Sequence, residues 1–134
     1  MNAHVKPRMT EADAKRIAIS IIPDLQKHAA KAEELRHVPR ECVDLLISNG
    51  LLQTIQPAAC GGHELSMRSH VDVMSNVAYG CGATAWVLGV WQAHSWMFGH
   101  ANEQFQKDVY ADGGEHPVSA VIGPRGKATR KADG

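Results

Sequence analysis

The chain has 134 residues, with 14 Lys and Arg residues against 14 Asp and Glu residues. That length fits one domain, and the balanced charge argues against a binder of nucleic acid or of an anionic membrane, which would carry a basic excess. With 44% hydrophobic and 21% charged residues, the composition is typical of a globular chain and not of a disordered one. Three cysteines, Cys42, Cys60 and Cys81, are an odd number, which indicates reduced thiols in a cytoplasmic protein.

The first helical pattern follows a short lead-in. Residues 1–9 lack the apolar run of a signal peptide and are expected to be disordered. Thr10 is suited to cap a helix that reaches about Arg36, because an apolar stripe recurs through it at three- and four-residue spacing. Pro23 lies inside this pattern and removes a backbone donor, so the sequence predicts either a kink or two consecutive helices.

Proline, glycine and serine divide the next part of the chain. Pro39 is expected to open a second helix, and Gly50 to end it in the left-handed conformation. The chain then runs extended as far as Pro57, before a glycine-rich loop over residues 58–64. Ser66 is expected to cap a third helix, which two glycines end. The residues expected to face inward from this helix are Val71, Met74 and Ala78.

A long uncharged stretch carries the next helices. Residues 73–102 contain no Lys, Arg, Asp or Glu, but polar residues and four glycines interrupt them, so a transmembrane helix is not predicted. The pattern favours a helix pair buried on most sides, with the fourth helix running from about Thr84 to Phe98. Asn102 is suited to cap a fifth helix. A helix so apolar needs several neighbours, which indicates that protein outside this chain covers it.

The last part of the sequence changes character. Val118–Ile122 is the one convincing strand, and a basic segment follows it. A strand needs a partner for its backbone groups, so the sequence is expected to enter a β region that it does not complete. The fold class is therefore mainly α, with about five helices and the first strand of a β region.

Several classes of chemical site find little support. Cys60 and His63 have a metal-like spacing, but a structural zinc site needs a second such pair, so no metal is expected. No local signature singles out a Cys–His nucleophile. The glycine clusters match neither of the common phosphate-binding motifs.

One histidine stands out. His94 lies in the uncharged fourth helix with three tryptophans, Trp86, Trp91 and Trp96. It is either a core histidine satisfied by one hydrogen bond or a polar group in a pocket for a flat aromatic molecule. In such a pocket it would accept a phenolic proton or hold a phenolate by hydrogen bonding.

Short motifs spread along the chain resemble a known family. They are Arg36–Glu41, Leu45–Leu46, Asn49–Leu51, Gln56–Pro57, Gly61–Leu65, Cys81–Trp86 and Ala93–Trp96. The earlier motifs resemble the N-terminal helical domain of the acyl-CoA dehydrogenase superfamily. The last two resemble its flavin-dependent monooxygenase branch, the oxygenase components of two-component aromatic hydroxylases such as 4-hydroxyphenylacetate hydroxylases.

The resemblance implies a domain plan and an assembly. Residues 10–116 would form the N-terminal helical domain, and residues 117–134 the start of a truncated middle β domain. Family members are longer and form homotetramers, so the chain is expected to be part of a longer cytoplasmic enzyme and to be inactive by itself.

The resemblance also implies a mechanism. Reduced FAD or FMN, delivered by a separate flavin reductase, would form a C4a-hydroperoxide that hydroxylates a small phenolic or other aromatic substrate. By position, His94 would contact the substrate phenol, and Ser119 would lie at the reactive edge of the flavin, which makes these two the expected catalytic residues. Trp86 is expected beside the cofactor, and Trp91 and Trp96 beside the substrate.

Two alternatives stay open. An acyl-CoA dehydrogenase-type flavoenzyme shares the superfamily resemblance, and its catalytic glutamate would lie beyond this chain. A non-catalytic helical interaction module would use the uncharged stretch as a partner-binding face.

Overall fold

The computed structural model describes residues 8–123, 125–127 and 129–132. Most of the predicted lead-in, residues 1–7, lies outside this part of the chain. The described residues form a helical domain and contain no strand. Its elements are α1 (Glu11–Ser20), α2 (Ile22–Leu35), α3 (Arg40–Ser48), a 3-10 turn (Leu51–Gln53), a second 3-10 turn (Ala58–Cys60), α4 (Met67–Gly80), α5 (Gly82–Phe98) and α6 (Glu103–Val109).

The first helical pattern forms two consecutive helices. Thr10 caps α1 with a capping box, in which its hydroxyl accepts the Asp13 N–H and the Asp13 carboxylate accepts the Thr10 N–H. Ile21 separates α1 from α2, and Pro23 falls in the first turn of α2. A proline is tolerated there because the first-turn N–H groups have no partner within the helix. Of the two predicted arrangements, the structure has the pair of helices and not the kink.

The segment after α3 folds back on itself. Gly50 has the predicted left-handed conformation, with φ of 69°. The extended run expected between Gly50 and Pro57 is wrong, because the chain forms a 3-10 turn and buries Gln53, Thr54 and Gln56. Backbone N–H groups of residues 63–65 donate to the carbonyls of these three residues at 2.8–3.0 Å, which satisfies them away from water.

Helix α4 packs against α1, α2 and α5. Its buried face consists of Ser69, Val73, Val77 and Gly80. The predicted inward face is therefore wrong at two positions, since Val71 is 55% exposed and Ala78 is also exposed. Glycine at position 80 permits close packing on α2, because a Cβ there would lie 2.8 Å from the Leu25 Cβ.

The break between α4 and α5 is a single residue. Cys81 is extended, with φ of −157° and ψ of 111°, and it caps α5, which begins at Gly82. The two glycines predicted to break the helix therefore lie at the end of one helix and the start of the next. The sharp turn places α5 alongside α4.

The two helices that carry the uncharged stretch, α5 and the second half of α4, are more exposed than predicted. One face of α5 is buried and carries Leu88, Gln92, His94 and Ser95, whereas Trp86 on the same helix is 75% exposed. Val71 and Tyr79 on α4 are also exposed. Among the described residues, no helix has both the length and the hydropathy that a bilayer crossing needs.

The predicted strand at Val118–Ile122 is not formed in the described part of the chain. No other described segment pairs with it, and a strand without a ladder partner leaves its backbone groups unsatisfied. Val121 is 92% exposed and Ile122 is 72% exposed. The segment instead lies against α5 through a side chain, as described next.

Candidate functional site

The structure brings His94 and the segment after α6 together. His94 is 7% exposed on the inner side of α5. Its ring nitrogen Nδ1 accepts a hydrogen bond from the Ala120 backbone N–H at 3.0 Å. Ser119, the other predicted catalytic residue, is adjacent to Ala120 and exposed. Two residues that are far apart in sequence, and that the resemblance predicts as catalytic, therefore lie in one region of the fold.

A small second core holds this segment in place. Val118 is 5% exposed and packs in a cluster with Cys60 and Tyr110. The Tyr110 hydroxyl donates to the Ser95 carbonyl at 2.6 Å. Burial raises the pKa of Tyr110, so the phenol stays protonated and keeps this donor. The packing of Val118 and the Tyr110 bond together fix the chain after α6 against the His94 turn of α5.

Buried amides tie α5 to the preceding loop. The Ser95 hydroxyl donates to Gln56 Oε1 at 2.6 Å, and Gln56 Nε2 donates to the Cys60 carbonyl. Gln92 is fully buried, and its Nε2 donates to the Leu51 carbonyl at 2.6 Å. Sequence reasoning missed these supports of the site. The available signal was a glutamine inside an otherwise uncharged and apolar helix.

The three tryptophans lie in different surroundings. Trp91 is half-buried and packs on the main core, one turn before His94. Trp86 is 75% exposed. Trp96 is 46% exposed, and its ring centroid lies 4.6 Å from that of His100. At 3.6 residues per turn, Trp96 is about 200° around the helix from His94.

The described structure thus places Trp91 near the turn of His94, but it does not bring Trp86 or Trp96 onto the histidine. Their assignments to the cofactor and the substrate stay predictions.

An aromatic neighbour of His94 was not predicted. Phe98 is one helical turn after His94, and the two rings are stacked with centroids 6.5 Å apart and planes 18° apart. Phe105 from α6 meets Phe98 edge to face at 5.1 Å. The four-residue spacing of His94 and Phe98 was the sequence signal for this contact.

The other candidate chemistries gain no support from the geometry. Within the described residues, no three His, Cys, Asp or Glu side chains are grouped as metal ligands would be. The three cysteines are buried and free, and burial raises the pKa of Cys42 and of Cys60, which disfavours the reactive thiolate. A cavity of about 280 Å³ includes Gln53, His63 and Gly113 in its lining, but His94 does not line it. His94 lies instead against the segment that carries Ser119, whose side chain is exposed.

The segment beside His94 carries both polar and apolar exposed groups. Ser119 is exposed, and two exposed aliphatic side chains, Val121 and Ile122, follow it closely. The exposed Trp86 indole lies on the same helix as His94. Sites for flat ring systems combine apolar and aromatic side chains with a few polar groups, and residues of these kinds are present here.

Comparison with known proteins identifies relatives for most of the chain. The family described as acyl-CoA dehydrogenase, N-terminal domain, matches residues 21–112. The oxygenase component of p-hydroxyphenylacetate 3-hydroxylase from Acinetobacter baumannii is 33% identical over 107 residues, which are 80% of this chain and 25% of that protein. A pigment production hydroxylase from a Rhodococcus species is 30% identical over 115 residues, which are 86% of this chain and 30% of that protein.

A third relative and a solved structure agree with these. The oxygenase subunit of a flavin-dependent monooxygenase from Rhodococcus jostii is 27% identical over 80% of this chain and 28% of its own length. The crystal structure of 3-HSA hydroxylase from a Rhodococcus species superposes with a TM-score of 0.74 at 24% identity, over 78% of this chain and 27% of that one. At this identity, the likeness to the solved structure supports the fold alone.

The chain thus spans between a quarter and a third of the length of the curated relatives it matches. The family match covers α2 through α6, which includes the helix that carries His94. The order of the helices and the resemblance of their motifs agree with it. This chain belongs to the acyl-CoA dehydrogenase N-terminal domain family.

Proposed function

We propose that this chain forms the N-terminal helical part of the oxygenase component of a reduced-flavin-dependent monooxygenase, which hydroxylates a phenolic or other aromatic substrate. The observation that carries the proposal is the pairing of buried His94 with the Ser119–Ala120 segment, which is followed by the exposed side chains of Val121 and Ile122. The names of the curated relatives support the same class, because they are hydroxylases and oxygenase subunits.

The cofactor of this proposal is reduced FAD or FMN. Ser119 and Trp86 would hold it, the first through its exposed hydroxyl and the second through its exposed ring. When bound, the reduced flavin would supply activation of dioxygen, which the side chains of this chain do not provide. A separate flavin reductase would deliver the reduced cofactor, as the term oxygenase component in a relative's name suggests.

The substrate side of the proposal centres on His94. It is a polar group on an otherwise apolar helix, and its ring is held by Ala120 and Phe98. Such a ring would bind and orient the oxygen of a phenol. Trp91 and Trp96 are proposed as apolar contacts of the aromatic substrate, and Ser119 as the second catalytic residue, acting through its hydroxyl.

The proposal extends to assembly and location. Exposed apolar side chains are grouped on α4 and α5, which supports coverage of this face by further protein of a homotetramer. They are Met67, Val71, Tyr79 and Trp86. The three buried free thiols suit a reducing cytoplasm.

The direct test supplies the complete protein that carries this chain with reduced flavin, dioxygen and a panel of phenols. Mass spectrometry of the products is expected to show hydroxylated phenol. Dehydrogenation of an acyl-CoA without hydroxylation would overturn the proposal in favour of the dehydrogenase branch. The absence of both activities would favour the non-catalytic interaction module.

A matched pair of variants tests the role of His94. His94→Ala removes the proposed substrate contact, whereas His37→Ala removes an exposed histidine in the segment between α2 and α3. Removal of a group that binds developing charge commonly lowers kcat by about 10²–10³-fold. We expect a loss of this size for His94→Ala alone. Equal losses of activity and thermal stability in His94→Ala would return the residue to a purely structural role.

A further inference from the structure

The hydrogen bond between Ala120 and His94 has a chemical consequence for the histidine. A neutral imidazole has one N–H donor and one acceptor nitrogen. A backbone N–H can only donate, so the Nδ1 atom that accepts the Ala120 N–H at 3.0 Å carries a lone pair and no proton. The proton of the neutral ring is then on Nε2.

The other ring nitrogen of His94, Nε2, is accessible from outside the domain. No group among the described residues forms a hydrogen bond with Nε2 of His94. Among the buried side-chain nitrogen and oxygen atoms of the described residues, only Ser69 Oγ and Thr84 Oγ1 lack a hydrogen-bond partner. Nε2 has no partner and is not one of these buried atoms, so it is reached by solvent. Nε2 is therefore the ring atom that is available to a ligand.

A hydrogen bond fixes the ring in this orientation. The Phe98 ring lies nearly parallel to the imidazole, with planes 18° apart and centroids 6.5 Å apart, and provides an apolar neighbour one helical turn away. A half-turn of the ring would place a C–H group against the Ala120 N–H and lose the hydrogen bond. Val118 is buried two residues before Ala120, so the backbone that supplies the N–H is itself anchored.

We infer that the Ala120 backbone amide is a positioning group, which holds His94 as the Nε2–H tautomer so that it offers a hydrogen-bond donor to an acceptor oxygen of the substrate. This inference rests on the proposed function for the identity of the ligand. It selects between the two roles open to the histidine: Nε2–H donates to the substrate oxygen, and His94 does not remove the phenolic proton because the Ala120 N–H occupies its lone pair. A phenolate held in this way has released its proton to water before it binds. The substrate class is accordingly an aromatic molecule that presents an oxygen acceptor at this point.

The test reads the ring nitrogens of His94 directly. The 134-residue chain is labelled with ¹⁵N-histidine, and both nitrogen shifts are recorded through the carbon-bound ring protons at neutral pH. The His94 signals are assigned by their loss in His94→Gln. We expect a protonated Nε2 and an unprotonated Nδ1. A protonated Nδ1, or equal populations of the two tautomers, would overturn the inference.

A pair of variants tests the role of the amide. Ala120→Pro removes the N–H, whereas Ala120→Gly keeps it. We expect the single tautomer to be lost in the proline variant and retained in the glycine variant, with similar helical circular dichroism for both. Retention of the Nε2–H tautomer in a folded Ala120→Pro variant would show that the amide does not position the ring. The measurement uses no flavin or substrate, so it succeeds or fails separately from the hydroxylation assay.

Discussion

Replacement of Gln92 by leucine tests how the uncharged helix is held to the rest of the domain. Gln92 is fully buried, and its Nε2 donates to the Leu51 carbonyl at 2.6 Å and to the Thr54 hydroxyl at 2.7 Å. Its Oε1 lies 2.6 Å from Nδ1 of His70. Leucine has a similar volume but pairs with none of these groups.

The expected cost follows from the groups left without a partner. A buried polar group that loses its partner costs about 1–3 kcal/mol. The Thr54 hydroxyl also lies 3.5 Å from the Leu51 carbonyl, so these two groups can compensate each other in part. We therefore expect a loss of about 2–4 kcal/mol of unfolding free energy, which for a domain of this size lowers Tm by about 8–16 °C.

The assay is thermal and urea unfolding followed by circular dichroism. The matched control is Gln104→Leu, because Gln104 is exposed and bonds only the neighbouring Asp108 on the helix surface. A surface change of this kind is expected to stay within about 0.5 kcal/mol. If Gln92→Leu were as stable as Gln104→Leu, the buried amide would not be what ties α5 to the loop, and the reasoning would be refuted.

Two further predictions concern a glycine and a carboxylate. Gly62→Ala is expected to destabilise the domain by about 3 kcal/mol in urea unfolding, the upper end for overpacking, because a Cβ would lie 2.0 Å from the Gln56 carbonyl oxygen. Gly82→Ala is its control and should be neutral or slightly stabilising, since no atom lies within 4 Å of its Cβ; equal effects would count against the packing argument. The Thr10 hydroxyl, with help from Arg16, lowers the pKa of Asp13 from 3.8 to about 2. Because the pKa of Asp13 is lower in the folded than in the unfolded chain, its ionised carboxylate stabilises the fold above pH 3.8. This stabilisation is lost as the pH falls through about 2. The Tm deficit of Asp13→Asn at pH 7 should therefore shrink towards pH 2, and a constant deficit would contradict this.

Local signals predicted the helices well. Thr10, Ser66 and Asn102 each cap a helix with a side-chain oxygen, as their positions before apolar stretches predicted. The left-handed Gly50 was predicted for the same reason. Capping and turn formation depend on residues within a few positions of each other, so one sequence contains the information they need.

Helix orientation was harder to predict. Helix α4 has apolar residues on two sides, and the sequence alone does not say which side meets the core. Val73 and Val77 face inward, and Val71 faces out. The choice depends on which residues of α1, α2 and α5 meet α4, which is information from distant parts of the chain.

The surroundings of the candidate site also depend on distant parts of the chain. The resemblance predicts His94 and Ser119 as site residues, and the structure brings their segments together. The contacts that hold them there, from Phe98, Tyr110 and the Ala120 amide, arise from tertiary packing. The sequence predicts a strand at 118–122, but a strand needs a second strand to pair its backbone groups. Among the described residues, the Ala120 N–H is paired with the His94 side chain instead.

The most direct test of the central proposal is an isotope measurement on the complete protein. It is supplied with reduced flavin, a phenol and ¹⁸O-labelled dioxygen, and the product is analysed by mass spectrometry. The account predicts a hydroxylated phenol that contains one ¹⁸O atom from dioxygen. A product without the label, or no phenol product together with oxidation of an acyl-CoA, would contradict it.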